Sequence, residues 1–321
     1  KKEFKLNYGG KEVTLETGRL AKQTDGAVLV SCEGTQVLVT ICCASEVKDG
    51  QDFFPLMVDY KEKFFAAGKF LGGFRKREGR PSDSEILLMR MIDRPLRPLF
   101  PEGFMFETII MAQVLSFSES ADPEVLAGLG TAAALAVSDI PFAGPVGFCK
   151  VGRINGDFVL NPTRDMWDNS ELELVVAASK EAILMVEGEA KEVDETTMLD
   201  AIKFAHANIQ EFCATLDKMV AECGKTKREF VSSAANETMM KKMEDYASDA
   251  RDCLNINVKQ DRSKAISALV RKVKGDIEND YAAFGLTEDA GAGKEAYKGV
   301  DELLYNMMRG DILNEDKRIG G

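Results

Sequence analysis

The sequence predicts an α+β domain followed by an all-α domain. Short β-branched runs separated by glycine-containing turns fill the chain up to about residue 190. From Asp194 onwards, apolar residues recur at steps of three and four, which is the period of amphipathic helices. With 321 residues, 45% of them hydrophobic and 29% charged, the chain is long enough for two globular domains. We therefore expect domains at residues 1–190 and 194–316, with 317–321 beginning a linker.

Strand signals dominate the first domain. Residues 11–15 alternate polar and apolar side chains, and the runs at 27–31 and 37–43 are β-branched. Asn155-Gly156 is a typical two-residue hairpin turn between two strands. The other predicted strands cover residues 106–116, 146–154, 158–160, 172–177 and 183–186.

Two helices interrupt this strand pattern. Ser82 and Glu85 have the spacing of a capping box, which predicts a helix from there to about Ile92. Pro95 disfavours helical backbone at the preceding residue, so this helix should end near Arg94. Residues 123–137 form a second helix whose small side chains suit close packing on a sheet. Together these elements indicate an α+β fold.

The second domain carries a long apolar stripe formed by Met198, Ile202, Ala205, Ile209, Phe212, Leu216 and Met219. Three further helical patterns follow at residues 236–253, 263–281 and 298–308. The segment 285–294, GLTEDAGAGK, predicts a flexible loop between the last two helices.

Composition excludes several classes of protein. The seven cysteines are odd in number and include no C-x-x-C pair, so we expect reduced thiols in a reducing compartment. His206 has no partner at zinc-ligand spacing. Gly293-Lys294 lacks the glycine and the hydroxyl residue of a phosphate loop, since Glu288 and Glu295 occupy those positions. No run approaches the ~20 apolar residues of a membrane span, so a cytoplasmic protein without a membrane partner is expected.

Basic charge is concentrated in one segment. The chain has a net charge of −12, yet residues 69–97 contain eight Lys and Arg against four Asp and Glu, a net of +4 that leaves −16 elsewhere. A phosphate backbone would be repelled by most of this surface, so any RNA site must be local. The segment combines a glycine pair, an aromatic residue and many cations, as single-strand binding sites do. An ordinary exposed basic loop is the alternative. The candidate RNA-binding residues are Phe74, Arg75, Lys76, Arg77, Arg80, Arg94 and Arg97.

Arg94 and Arg97 are interleaved with Pro95 and Pro98. Proline fixes the backbone and removes an N–H donor, so these arginines should be held in a stiff, non-helical chain. Such a presentation suits oxyanion recognition.

These motifs resemble the first RNase PH domain of the polynucleotide phosphorylase family. The matching segments read GGFRKREGRP at 72–81 and IDRPLRPLFP at 92–101, followed by VLNPT at 159–163 and LMVE at 184–187. The resemblance runs from about residue 4 to residue 318. It implies an RNase PH-like fold (ribosomal protein S5 domain 2-like), followed by the helical domain of that family.

The resemblance also implies an activity and an assembly. Members of the family are magnesium-dependent 3′-to-5′ exoribonucleases that use inorganic phosphate to release nucleoside diphosphates, and the reaction is reversible. They form homotrimeric rings in which each subunit has two RNase PH domains and carboxy-terminal RNA-binding domains. Single-stranded RNA and components of RNA-degradation complexes are the implied partners.

Roles can be carried over to particular residues. Phe74 corresponds to an aromatic residue at the constriction of the ring, and Arg77 and Arg80 correspond to arginines that guide RNA. The family often has a second phenylalanine where this chain has Arg75, so weaker stacking and stronger phosphate contact are expected here.

No catalytic residue is expected in this chain. The family's phosphate-binding turn at a helix start corresponds to Asp122-Pro123-Glu124, where carboxylates would repel phosphate and Pro123 removes a donor. Its catalytic Asp-x-Asp is matched only loosely by Glu171 and Glu173, which are weak candidates for metal ligands. Residues 317–321 resemble the start of the catalytic domain, which is expected to supply the Mg²⁺ ligands. A complete, non-catalytic RNA-binding ring subunit of an exosome-like assembly is the alternative function.

Overall fold

The computed structural model describes residues 1–48, 51, 53–70, 72, 78–230, 237–288 and 290–319. The chain divides into two compact units, Lys1–Ser232 and Ser233–Gly321. The first unit is mixed α/β and the second is helical, as the sequence predicts.

Within the described residues, the first unit contains a six-stranded sheet in the order β1-β2-β3-β4-β6-β5. Neighbouring strands are antiparallel except β5 and β6, which are parallel. Alternate residues of the central strands are completely buried, as expected when one face of a strand packs on the core. The strands are β1 (Lys2–Tyr8), β2 (Lys11–Thr17), β3 (Gly26–Cys32), β4 (Thr35–Cys43), β5 (Leu56–Lys61) and β6 (Thr108–Ser116). β1 and β5 were not among the predicted strands.

The described part of this unit also contains a four-stranded antiparallel sheet in the order β10-β9-β7-β8. The Asn155-Gly156 hairpin joins β7 to β8, and both residues have the positive φ that such turns require, 53° and 90°. This prediction is confirmed. The strands are β7 (Val146–Ile154), β8 (Asp157–Leu160), β9 (Ser170–Ser179) and β10 (Ile183–Ala190).

Helix α2 (Pro123–Val137) lies between the two sheets and has the bounds that the sequence predicts. It is buried on nearly every side, as expected of a helix that is apolar all round. Two of its glycines allow both sheets to pack closely against this helix. A Cβ on Gly128 would lie 2.6 Å from Phe148 of β7, and one on Gly130 would lie 2.7 Å from Val39 of β4. The small residues of α2 therefore set the spacing of the layers.

Helix α1 (Asp83–Leu96) begins with the predicted capping box, in which Ser82 and Glu85 satisfy each other's backbone N–H groups. Its predicted end near Arg94 is wrong, because the helix continues through Pro95 and passes into a 3-10 turn, Arg97–Leu99. The helical position before a proline is disfavoured rather than forbidden. Burial of Ile92, Pro95 and Leu96 in the core offsets that cost.

Helix α3 (Glu195–Cys223) starts at Asp194, whose side chain accepts a hydrogen bond from the N–H of Thr197. Its predicted apolar stripe is buried, but in the core of the first unit. Gly147 of β7 allows the close approach, since a Cβ there would lie 2.7 Å from Ile209. The compact first unit thus extends to residue 232, whereas the sequence placed the boundary at 190–194. Periodicity identified the helix but not the surface on which it packs.

The chain after α3 fastens this helix to the end of α2. Lys225 and Arg228 donate backbone hydrogen bonds to the carbonyls of Val137 and Asp139. The ammonium group of Lys227 donates to the carbonyl oxygens of Leu135, Ala136 and Ser138, at 2.8, 3.1 and 2.8 Å. A cation here complements the negative end of the helix dipole.

The second unit packs four helices around its own core, within the residues described: α4 (Glu237–Met243), α5 (Ala247–Leu254), α6 (Lys259–Asn279) and α7 (Ala292–Glu315). The predicted helix at 236–253 is broken by a 3-10 turn at Glu244–Tyr246. The predicted loop at 285–294 is shorter, because α7 begins at Ala292. In the described part of the chain, every helix is too short or too polar to cross a bilayer.

Candidate nucleic-acid interface and degenerate anion site

The predicted RNA-contact segment is only partly described. Phe74, Arg75, Lys76 and Arg77 lie outside the described residues. Arg80 is exposed and precedes the first turn of α1. Its placement leaves the guanidinium accessible to a phosphate.

Residues 62–64, just before this segment, are fastened to residues 78 and 85 within it. Lys63 forms an ion pair with Glu78 at 2.9 Å, and Glu78 also accepts a hydrogen bond from the N–H of Phe64 at 2.8 Å. The contact with Lys63 makes the larger contribution to lowering the pKa of the Glu78 carboxyl, and the hydrogen bond from Phe64 adds to it. One step further along, the N–H of Glu62 donates to Glu85 of the capping box at 2.9 Å. The chain thus leaves β5 and enters α1 at adjoining points, with the basic segment between them.

Arg97 is exposed but lies in the 3-10 turn, so the predicted non-helical presentation of this arginine is wrong. Its guanidinium pairs with Asp93 at 2.9 Å and donates to the carbonyl oxygens of Phe54 and Leu56 at 3.0 and 3.2 Å. It also lies 5.7 Å from the centroid of the Phe54 ring, a cation–π arrangement. Arg97 therefore anchors the start of β5 to the end of α1.

Arg94 is helical as well, which again contradicts the predicted geometry. It is well exposed and contacts Glu187 of β10 at 3.3 Å. A surface pair of this kind contributes little to stability and competes only weakly with a phosphate. Arg94 remains accessible, but a helix presents it.

The start of α2 forms one wall of a cleft of about 300 Å³. Asp122 caps the helix by accepting a hydrogen bond from the N–H of Glu124 at 2.9 Å, and Pro123 supplies no N–H. Helix starts bind anions through free N–H groups and the dipole. Here the protein's own carboxylate already occupies that position.

Lys150 of β7 completes this arrangement. It is 8% exposed, and its ammonium group lies 2.8 Å from Asp122 and 2.6 Å from Glu124. Burial alone would lower the pKa of Lys150, but the two carboxylate charges outweigh burial and raise it. The buried cation is thus neutralised by two internal anions, and its charge is not available to hold a phosphate.

Glu171 and Glu173, the weak metal candidates, have different surroundings. Glu171 is exposed and pairs with Arg153 at 3.0 Å. Glu173 lines the cleft near Lys150, and burial raises the pKa of its carboxyl. Within the described residues, no three His, Cys, Asp or Glu side chains are grouped so that they could hold a metal ion.

Magnesium does not fit this cleft. Mg²⁺ requires oxygen ligands around a free coordination site, whereas the ammonium group of Lys150 already lies between the two nearest carboxylates. The helix start is therefore closed to an external anion, and the two carboxylates nearest to it are already paired with Lys150.

Sequence reasoning missed Lys150, although a signal was present. The residue interrupts a strand whose first seven positions are all buried. A lysine in such a run requires a buried anionic partner. The Asp122 and Glu124 carboxylates, already identified as unsuited to phosphate, are that partner.

His206 is not part of the cleft. Its Nε2 lies 3.1 Å from the carbonyl oxygen of Ser179 and 2.9 Å from the side chain of Gln210. These contacts hold the imidazole at the edge of α3, against the end of β9.

Comparison with family models matches residues 9–141 to domain 1 of the 3′ exoribonuclease family (RNase PH) and residues 144–208 to domain 2. The second match extends into α3, which agrees with the packing of that helix on the first unit. The chain belongs to the 3′ exoribonuclease family.

Curated relatives extend the similarity over nearly the whole chain. Polyribonucleotide nucleotidyltransferase of Geotalea uraniireducens is 45% identical over 99% of the chain, and that of Geobacter sulfurreducens is 44% identical over 99%. In both cases the match covers 45% of the relative, so the chain spans about half the length of the curated relatives it matches. A solved chain of the Archaeoglobus fulgidus exosome with RNA bound to the active site aligns with a TM-score of 0.49 at 16% identity, covering 62% of this chain and 85% of that chain.

These relatives bear on the two functions that the sequence left open. Polyribonucleotide nucleotidyltransferases match along both units, including the helical one. The alternative, a complete non-catalytic subunit of an exosome-like ring, is not favoured.

Proposed function

We propose that this chain is the amino-terminal part of a 3′-to-5′ phosphorolytic exoribonuclease and that it guides RNA and supports a ring rather than performing the reaction. The deciding observation is the cleft at the start of α2, where Lys150 is neutralised by Asp122 and Glu124. The family match and the 45% identity to polyribonucleotide nucleotidyltransferases supply the reaction class.

Phosphorolysis transfers a nucleotidyl group from RNA to inorganic phosphate, with release of a nucleoside diphosphate. The reaction requires a positive site for the incoming phosphate and neutralisation of charge at the transferring phosphorus. At the start of α2 the cleft offers Asp122 and Glu124, whose charges are already paired with Lys150. We infer that phosphate and Mg²⁺ bind to other residues of the whole protein, and that Mg²⁺ supplies charge neutralisation there.

RNA guidance is assigned to the segment between Lys69 and Arg97. Arg80 and Arg94 are exposed within it, and the sequence adds Arg75, Lys76 and Arg77. With a net charge of −16 on the rest of the chain, this segment is where a polyanion meets the least repulsion. A homotrimeric ring, by analogy with the family, would bring three such segments together.

The catalytic part of the proposal is tested with purified residues 1–321, single-stranded RNA, Mg²⁺ and phosphate. We expect no release of nucleoside diphosphate. Release that is abolished by Glu171→Gln or Glu173→Gln would show that this chain holds an active site and would overturn the assignment.

The RNA-guiding part is tested by binding across a salt series. Arg77→Ala combined with Arg80→Ala should lower the slope of log affinity against log salt by roughly 1.4, since each phosphate contact on a single strand contributes about 0.7. Lys241→Ala combined with Lys259→Ala, both exposed in the second unit, is a matched removal of two positive charges outside the segment. An unchanged slope in the double arginine variant would refute RNA guidance by this segment.

A further inference from the structure

Four exposed phenylalanines lie on or beside the turn that leads into the basic segment. Phe64 and Phe65 belong to a 3-10 turn, Phe64–Ala67, and Phe70 lies three residues after its end. Phe70 is 97% exposed and Phe65 is 55% exposed. Phe117, directly after β6, is exposed as well. It lies beside the turn, because its N–H donates to the carbonyl oxygen of Ala66 at 2.9 Å.

Such exposure is unfavourable in the isolated chain. A phenylalanine gains about 1.5–3 kcal/mol when it is fully buried, and Phe70 gains almost none of it. Single exposed apolar residues are common, but several aromatic rings on one turn indicate a binding surface.

The turn that carries these rings is well fixed. Gly68 adopts the left-handed conformation, φ 65°, and its N–H donates to the carbonyl oxygen of Phe65 at 2.9 Å. The N–H of Lys69 donates to the carbonyl oxygen of Phe64 at 3.0 Å. The ion pair between Lys63 and Glu78 closes the base of the turn. Because the backbone of the turn is already ordered, a ligand that stacks on Phe65 has only the side chain left to order.

We propose that Phe65 and Phe70 form a base-stacking platform for single-stranded RNA at the start of the basic segment, ahead of Phe74 in the chain. The inference rests on the proposed function, because it assigns further RNA contacts to the same segment. Stacking is tolerant of sequence, since every base has a π face.

The surrounding charges favour RNA over a protein partner. Lys69, which is exposed, separates the turn from Phe70, and Arg80 is exposed ten residues after Phe70, just before α1. Lysine is depleted in the cores of protein interfaces. Aromatic rings alternating with cations are instead the arrangement used to hold single strands.

The test compares residue types at the same two positions. Phe65→Leu with Phe70→Leu keeps apolar side chains but removes the aromatic faces, and Phe65→Tyr with Phe70→Tyr keeps the rings. We expect the leucine variant to bind a short oligoadenylate about 5- to 150-fold more weakly for each stacked base lost, with an unchanged salt slope. The tyrosine variant should bind within about twofold of the parent chain, since phenol and phenyl faces both stack.

Two controls isolate base stacking. An abasic strand carries the same phosphates without bases, so the parent chain and the leucine variant should bind it equally. Phe53→Leu removes a phenylalanine that is 63% exposed at the opposite end of β5, roughly 20 Å away along the strand, and should leave binding unchanged.

Several outcomes would overturn the platform. Parent-like binding by the leucine variant, or equal weakening on the abasic strand, would show that these rings do not stack on bases. A change in sedimentation without a loss of RNA affinity would instead assign the rings to contact between copies of the chain. Because Phe70 is almost fully exposed, Phe70→Leu alone remains informative if the double variant folds poorly.

Failure of this inference differs from failure of the proposed function. If Arg77→Ala with Arg80→Ala lowers the salt slope while the leucine variant binds normally, only the platform is refuted. If neither variant weakens binding, RNA guidance by the segment fails as well.

Discussion

Replacing Lys150 by methionine is the most direct test of how the cleft is neutralised. Methionine keeps most of the buried stem and removes the ammonium group. Asp122 and Glu124 then lose a shared partner at 2.8 and 2.6 Å and face each other as like charges. The helix cap on Asp122 is left intact.

The expected loss of stability follows from the burial of the three groups. Breaking a fully buried ion pair costs about 3–5 kcal/mol. Here the Asp122 and Glu124 side chains are 19% and 32% exposed, so water compensates in part, and we expect a loss of about 2–3 kcal/mol. For a unit of this size, that corresponds to roughly 4–12 °C in Tm.

The loss should be the same throughout the neutral range. The two carboxylates raise the pKa of Lys150 above its ordinary value of 10.5. Stabilisation by a group with a raised folded-state pKa is fully present below the unfolded value and is lost only as pH rises through the folded value. The loss of stability caused by Lys150→Met should therefore be the same at every pH from 6 to 9.

Thermal unfolding followed by tryptophan fluorescence suits the measurement. Trp167 is the only tryptophan in the sequence and lines the same cleft, so its signal reports on the first unit alone. Adding Asp122→Asn and Glu124→Gln to Lys150→Met should recover much of the loss, because the uncompensated charges are removed while asparagine still caps the helix. An unchanged Tm in the single variant, or no recovery in the triple variant, would refute the ion-pair account.

Three further predictions test the packing, the charge and the arginines of the fold. Gly128→Val should lower the free energy of unfolding in urea by about 1–3 kcal/mol, because Phe148 already occupies the position of the added Cβ. Gly275→Ala places its Cβ in open space on α6 and should be neutral or stabilising. Equal effects of the two substitutions would refute the spacing argument. Burial raises the pKa of the Glu173 carboxyl, so the folded state binds its proton more tightly than the unfolded state, and stability should fall as pH rises from 4.5 through the folded-state pKa. Glu173→Gln should remove this part of the pH dependence. If the urea midpoint of the variant has the same pH profile as that of the parent chain, the prediction is wrong. Arg97→Ala should lower the free energy of unfolding by about 2 kcal/mol, because its contacts with two carbonyl oxygens and the Phe54 ring are lost. Arg94→Ala should lower it by less than about 0.5 kcal/mol. A larger fall in Tm for Arg94→Ala than for Arg97→Ala would contradict the anchoring role.

Local sequence signals predicted the elements whose stability depends on neighbouring residues. The capping box at Ser82, the hairpin at Asn155-Gly156 and the bounds of α2 are all confirmed, because each depends on a few consecutive side chains. The end of α1 and the partner of α3 depend on tertiary burial instead. Pro95 remains helical because the residues around it are buried, and α3 belongs to the first unit because Gly147 admits it.

The site shows the same division between local and tertiary information. Composition located the basic segment, and the carboxylates at 122 and 124 indicated that the helix start is closed to phosphate. Neither argument could identify Lys150 as the partner of these carboxylates, because it lies 26 residues after Glu124 and contacts it only when β7 packs beside α2. A buried lysine without a local partner is itself a long-range constraint, because an unpaired charge in a core costs several kcal/mol. The isolated acidic pair and the isolated buried cation each leave a charge unbalanced, and only their pairing removes both penalties. The closed helix start is therefore a property of the packed layers, and it ties the lack of a free anion site at the start of α2 to the stability of the core.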